Sequence, residues 1–367
     1  MRSRTGSPGT PGVTHVRTRG PAPENQGWKL QNENNPQATG PAKTTITPLS
    51  GTARSAGFVG LGLMGAPMAA NLLKAGWAVS AWNRSPAAVD AFVRLGGASV
   101  PNVAALRDEP VIIFMLPDLS FIEEAAAGLL AEWRLAPPQP GTLVVVMSSV
   151  SPVGVQAFGV AVAEASGGNA TVLDAPVSGG TEGAQRGTLA IMAGGPAEDF
   201  DRLRPVLEAM GTTVRRLGGL GSGSLAKACN QLIVGTTTAA LAEAAELAER
   251  SGMDVESLFE VLAGGLAASR VLEFVGPRLA AKDYAPTGPA KFMHKDLSFV
   301  LESAEAAGAV APMATAGVEL YGELTRQGLG DLDLAVVRQA IGNLSDVQST
   351  AASTAAVFIN SVRETTA

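Results

Sequence analysis

The segment Gly57–Gly76 reads GFVGLGLMGAPMAANLLKAG: an apolar strand pattern runs into three glycines, Gly60, Gly62 and Gly65, and then into an amphipathic helix. Glycines at this G-x-G-x-x-G spacing permit a sharp strand-to-helix turn and let a pyrophosphate approach the backbone closely. Leu63 and Met64 lead into a helix start whose free N–H groups and dipole favour an anion. The same pattern also describes a plain βα turn, so the strand that follows matters. Val79–Trp82 ends about twenty residues on, where a dinucleotide site reads the ribose. The Asp or Glu expected there is absent, and the chain has Asn83-Arg84-Ser85 instead. A carboxylate would hydrogen-bond a ribose 2′-hydroxyl and repel a 2′-phosphate, whereas Arg84 can pair with that phosphate and stack on adenine. The expectation is therefore NADP(H) as preferred cofactor with NAD(H) possible; the bland alternative is a solvated arginine in a turn.

Downstream of this loop, short β-branched runs (Val111–Leu116, Leu143–Met147, Val172–Leu173) alternate with helical patterns such as Ala87–Leu95. That alternation predicts a parallel sheet covered by helices. From about Ser222 the strand signal stops, and long Ala/Leu/Glu-rich stretches follow at 222–251, 255–263, 295–307, 314–327 and 334–343. The expected fold is an α/β Rossmann-type N-terminal domain (56–220) followed by an all-α C-terminal domain (221–367), joined by a long interdomain helix over about 222–251. Residues 1–55 carry seven basic side chains against two acidic ones, and their Gly, Pro, Thr and Asn content shows no hydrophobic period. They read as a disordered extension, with an organelle transit peptide as the minor reading and a cytoplasmic enzyme as the main one.

Composition excludes several function classes. The 367 residues hold one Cys (Cys229) and two His (His15, His294), too few for a disulfide framework or for nearly any familiar zinc site, so no metal is expected. A net charge of −6 argues against general nucleic-acid binding, and no apolar run approaches the ~20 residues that span a bilayer.

If the glycine loop holds a nicotinamide cofactor, an alcohol or carbonyl substrate needs a proton donor or acceptor beside the hydride path. Outside the N-terminal extension the candidates are His294, Tyr284, Tyr321, Cys229 and the lysines Lys74, Lys227, Lys282, Lys291 and Lys295. Lys227 stands out in GSGSLAKACNQLIVG (221–235), close to a helix start and among Ala, Leu and Cys. Desolvation and the helix dipole should both lower its pKa. Asn230 and Gln231, three and four residues on, share its face approximately and could orient the ammonium. A surface lysine on a long helix remains the alternative. Residues 174–195, DAPVSGGTEGAQRGTLAIMAGG, form a second glycine cluster in which Ser178-Gly179-Gly180 could offer a hydroxyl and backbone N–H groups to a carboxylate, or could be only a loop. Lys295-Asp296 follows an irregular stretch, where the simple reading is a helix-capping Asp beside an incidental Lys.

Taken together the motifs resemble the β-hydroxyacid dehydrogenases, the group of 3-hydroxyisobutyrate dehydrogenase, tartronate semialdehyde reductase and glyoxylate/succinic semialdehyde reductase. The resemblance covers residues 56–345 through GLGLMGAPMAANLLKAG (60–76), MLP (115–117) with SSVSP (148–152), DAPVSGGTEGAQRGTL (174–189), and GSGSLAKACNQ (221–231) with KDL (295–297). It implies an interdomain active site in which Lys227 is the catalytic lysine, assisted by Asn230. Ser178, Gly179 and Gly180 hold the substrate carboxylate; Leu116, Pro117, Phe121 and Ser149 line the nicotinamide side, with Ser149 also near substrate; Lys295 contacts the cofactor. The implied reaction is reversible hydride transfer to or from a small 3-hydroxy acid or its semialdehyde, in a homodimer or homotetramer built through the helical domain. Two departures are visible: Val146-Met147 precede the Ser pair where members often have Asp, and Gln231 stands where many have a second Asn. The alternatives are an imine reductase of the same fold, against which Lys227 argues, and a non-catalytic dehydrogenase-like scaffold, against which Lys227 and the glycine loop both argue.

Overall fold

A computed structural model describes residues 54–348, so the reading of the N-terminal extension up to residue 53 lies outside the described residues, as does that of 349–367. Among the described residues nine strands form one sheet: β1 (Ser55–Val59), β2 (Ala78–Trp82), β3 (Ala98–Ser99), β4 (Val111–Phe114), β5 (Thr142–Val146), β6 (Ala170–Asp174), β7 (Val177–Ser178), β8 (Leu189–Gly194) and β9 (Gly211–Gly218). Six helices accompany them: α1 (Gly65–Lys74), α2 (Pro86–Arg94), α3 (Leu119–Leu135), α4 (Pro152–Ala165), α5 (Gly180–Arg186) and α6 (Ala197–Glu208). The helical part comprises α7 (Ser222–Arg250), α8 (Val255–Ala263), α9 (Arg270–Ala281), α10 (Lys291–Ala307), α11 (Pro312–Arg326) and a last helix over 337–348. The architecture is thus a Rossmann-type parallel sheet followed by helices. Among the described residues no helix is long and apolar enough to cross a membrane.

Strands β1 to β6 are all parallel in the order β3-β2-β1-β4-β5-β6. The order reverses between β1 and β4, and in open α/β sheets the crevice beyond the strand ends at such a point is where ligands bind. Strands β4 and β5 are buried throughout because helices cover both faces, which is why they read as unbroken VIIF and TLVVV. One face packs on α1, α2 and α6 through residues such as Met68, Leu72, Phe92 and Leu203. The other packs on α3 and α4 through Ile122, Trp133 and Phe158, where Phe158 stands edge-on to Phe114.

The sheet continues beyond the last strand read from sequence. β8 runs antiparallel to β6 and β7 and carries β9 parallel on its other side. β8 (LAIMAG) is Ala/Gly-rich and β9 (GTTVRRLG) is largely polar, so neither presents the β-branched run that marks β4 and β5. A second difference concerns α10, which begins at Lys291 rather than Lys295. Its first N–H groups are met from elsewhere in the chain, Ala290 N–H donating to the Leu332 carbonyl and Lys291 N–H to that of Gly330, so no side-chain cap was there to be read. Asp296 is consequently not a cap but a buried residue in the second turn.

Candidate active site

The glycine loop is shaped by close contacts. Gly60 has φ = +102°, its N–H donates to the Trp82 carbonyl at 2.9 Å, and a Cβ there would lie 2.3 Å from the Met115 carbonyl. A Cβ on Gly65 would meet the Gly60 carbonyl at 1.9 Å, so α1 can start against the loop only as glycine. Gly62 differs: nothing in the protein comes within 4 Å of a Cβ placed there. The space it leaves faces the start of α1, which has neither a side-chain cap nor an acid in its first turn. This fits a pyrophosphate on free helix N–H groups. Asn83 turns inward, its Oδ1 accepting the Leu61 N–H at 2.9 Å and its Nδ2 donating to the Ser85 carbonyl at 3.2 Å. Arg84 is exposed, with no hydrogen bond or ion pair among the described residues.

Beside this loop lie the ends of β4 and β5. Leu116 N–H donates to Ser148 Oγ at 2.8 Å, which joins the two strand ends. Asp118 caps α3 through Leu119 N–H at 2.7 Å, Pro117 is exposed, and Phe121 in the first turn of α3 is 40% exposed. Lys295, from the helical part, reaches across to these loops: its Nζ donates to the carbonyls of Ser149 at 2.8 Å and Pro117 at 3.0 Å. The ammonium also lies 5.8 and 5.3 Å from the ring centroids of Phe292 and Phe299.

One residue beyond Lys295, the buried Asp296 begins a chain of polar contacts. Its Oδ2 accepts from Gln231 Nε2 at 2.7 Å, and Gln231 Oε1 in turn accepts both Lys227 Nζ and Asn230 Nδ2 at 2.9 Å. Lys227 therefore hydrogen-bonds Gln231, and Asn230 reaches it only through that shared amide. Desolvation holds the Lys227 ammonium below the ordinary lysine range; Asp296 opposes this and the neighbouring Lys295 adds to it. Burial pushes the Asp296 carboxyl up, with Lys295 and Lys227 pulling it back.

Four of the rival proton donors are engaged elsewhere. Tyr321 is buried with its hydroxyl donating to the Gly235 carbonyl at 2.9 Å, and burial raises its pKa. Lys282 pairs with Glu249, Lys291 with Asp331, and Lys74 donates to Asn71. The Ser178-Gly179-Gly180 turn has φ of +134° and +62° at its two glycines, a backbone that favours glycine, and both are exposed. It leads into α5, which the buried Asn71 holds against α1 through the Ala184 carbonyl at 2.7 Å. No hydrogen bond among the described residues joins this turn to Lys227 or Lys295.

The family model described as the NAD binding domain of 6-phosphogluconate dehydrogenase matches residues 55–219, and that described as NAD-binding of NADP-dependent 3-hydroxyisobutyrate dehydrogenase matches 221–341. An NAD-dependent L-serine dehydrogenase from Pseudomonas aeruginosa is 36% identical over 77% of this chain and 96% of that protein. The chain belongs to the β-hydroxyacid dehydrogenase family. A 2-hydroxy-3-oxopropionate reductase of Escherichia coli is likewise 36% identical, over 78% of this chain and 96% of that protein. The solved 3-hydroxyisobutyrate dehydrogenase of Mycobacterium tuberculosis, with L-serine, superposes with a TM-score of 0.69 at 32% identity, over 79% of this chain and 99% of that one. As a member of this family the chain is an oxidoreductase with a nicotinamide-binding domain.

Within that family frame, Asp296 is the polar residue beside Lys227 that sequence reasoning passed over. Gln231 was legible as an amide on the Lys227 face, and of the two amides read there it is the one that takes the Lys227 hydrogen bond; Asp296 was hidden by the reading of a helix start beside it. An acidic residue at i+5 of a helix, one position after a lysine, carries no periodicity signal that separates a buried carboxylate from a solvated one.

Proposed function

We propose that the chain moves hydride reversibly between NADP(H) and a small 3-hydroxy acid or its semialdehyde, with Lys227 as general acid and base. The observation that carries this reading is the Lys227–Gln231–Asp296 chain beside Lys295, which links the helical part to the ends of β4 and β5. When bound, the nicotinamide supplies or accepts the hydride. The loop at Gly60, Gly62 and Gly65, with Leu63 and Met64 at the start of α1, would hold its pyrophosphate, and Arg84, Asn83 and Ser85 its ribose end. Leu116, Pro117, Phe121 and Ser149 would line the nicotinamide.

In the reducing direction Lys227 Nζ, as ammonium, protonates the oxygen of the semialdehyde as negative charge develops there; in the oxidising direction the neutral amine removes the hydroxyl proton. A lysine with lowered pKa serves both directions near neutrality better than an ordinary one. Gln231, fixed by Asp296, aims the amine, and Asn230 bonds the same amide. The Ser178-Gly179-Gly180 turn fixes the substrate carboxylate, which converts binding into alignment.

The absence of an acidic residue at the end of β2, together with an unpaired Arg84, supports NADP over NAD. On the same reading the chain pairs with itself through the helical part, where α7 leaves Leu225, Ile233 and Leu247 exposed within one arc of its surface. The test is a panel of 3-hydroxyisobutyrate, L-serine and 2-hydroxy-3-oxopropionate run with both cofactors, for wild type and Lys227→Ala. Turnover with NADP that falls by about 10²-fold or more in Lys227→Ala supports the reading. Near-full turnover in Lys227→Ala overturns the lysine's role, and a strong NAD preference overturns that of Arg84.

A further inference from the structure

Asp174, the last residue of β6, is wholly buried, and no Lys, Arg or His among the described residues forms an ion pair with it. Its partners are backbone groups. Oδ1 accepts the N–H of Gly221 at 2.9 Å and Oδ2 that of Ser224 at 2.5 Å, so one carboxylate spans the first turn of α7. The helix has no cap of its own there: its N-cap residue is Gly221, at φ = +94°, and no side chain within the helix serves its first N–H groups. The cap is supplied from about fifty residues earlier in the chain.

The surroundings are shaped to admit it. A Cβ on Gly194, which pairs with Asp174 across β6 and β8, would lie 2.3 Å from Oδ1. A Cβ on Gly223 would lie 2.2 Å from the Met192 carbonyl and 3.0 Å from Oδ2. The glycines of GSGS at 221–224 thus serve a carboxylate of the chain itself, unlike Gly62, which faces open space.

This carboxylate stands between the two halves of the proposed chemistry. Three residues after Ser224, on the next turn of α7, comes Lys227; four residues after Asp174 comes Ser178, held by its pairing with Ala190 on the same β8. We infer that Asp174 is a positioning residue that sets the separation of the general acid/base from the carboxylate-binding turn. It acts by clamping the start of α7 to the end of β6. A charge-assisted pair of bonds to fixed N–H groups suits that role better than a neutral cap, because both oxygens are engaged and the geometry is unique. The inference rests on the reading of Lys227 and Ser178 given above.

In Asp174→Asn the amide offers one acceptor and turns its NH₂ toward the other N–H, so the clamp is half lost with little change in volume. A misplacement of about 1 Å costs on the order of 10²-fold in rate. The expected result, with 3-hydroxyisobutyrate and NADP, is a kcat lower by about 10- to 100-fold per cofactor-binding site, with the dissociation constant for NADPH within about threefold of wild type. A primary isotope effect on kcat with C3-deuterated 3-hydroxyisobutyrate should grow, which loss of folded protein alone would not produce. Gly194→Ala, which leaves the carboxylate but drives a methyl against Oδ1, should give the same signature and keeps the test intact if Asp174→Asn does not fold. A kcat per binding site within twofold of wild type in either folded variant overturns the inference. If that is seen while Lys227→Ala is inactive, only the clamp falls; if Lys227→Ala is active, the reading beneath it falls.

Discussion

At the scale of single residues, the proposed chemistry depends on how far Lys227 is kept from its ordinary pKa. Desolvation pulls it down and Asp296 holds it up, so Asp296→Asn should lower it further. The sign follows directly: the oxidising reaction needs the neutral amine, so its rate rises with pH through the lysine's pKa, and the reducing reaction falls through the same value. In Asp296→Asn both limbs should move to lower pH, read from kcat/KM profiles in the two directions. Limbs that stay in place would separate Asp296 from the lysine. Arg84 makes an independent prediction. A hydrogen-bonded charge pair contributes about 1.5–3 kcal/mol, so Arg84→Ala should cut kcat/KM for NADP by roughly tenfold or more and leave that for NAD nearly unchanged. Equal losses with both cofactors would mean that the arginine does not meet the 2′-phosphate.

At the scale of elements, α7 is the member on which everything else is registered. Its first turn is held by Asp174, and further along it packs on α10 at Gly235, where a Cβ would meet Met293 Sδ at 2.8 Å. It is also tied to α11 by the Tyr321 hydroxyl on the Gly235 carbonyl. Tyr321→Phe keeps the ring and removes that bond, so it should cost about 1 kcal/mol of stability by chemical denaturation. Turnover per folded molecule should hold, because Tyr321 lies outside the reaction path. Loss of turnover at full folding would bring it back among the proton donors. The helix itself was legible from the Ala/Leu/Glu periodicity of 222–251, because a long amphipathic pattern needs no tertiary information. The start of α10 was not, since its first N–H groups are met by carbonyls about forty residues away, and no sequence pattern at the helix start records such partners.

At the scale of the whole molecule, the glycine loop and β4 and β5 were readable because each answers a local demand: a forbidden Cβ at Gly60 and Gly65, or burial on both faces of a strand. β8, β9 and Asp174 were not, because their roles arise only when distant segments pair. The same holds for a further tie between the sheet and the helical part, beside that of Asp174, which in sequence is only the dipeptide Lys295-Asp296. In the structure the Lys295 side chain donates to carbonyls on two separate strand-end loops, at Pro117 and Ser149, with Asp118 at 4.0 Å and Asp296 at 3.6 Å from its nitrogen. Those loops are the ones that would face the nicotinamide, so the tie that joins the two parts also sets the cofactor wall. Lys295→Met keeps the aliphatic stem but leaves both carbonyls without their donor. Two such bonds at about 1 kcal/mol each, partly replaced by water, predict an NADPH dissociation constant raised by about tenfold. Calorimetric titration of NADPH into Lys295→Met and wild type measures this directly, and an unchanged affinity would show that the tie does not shape the cofactor site.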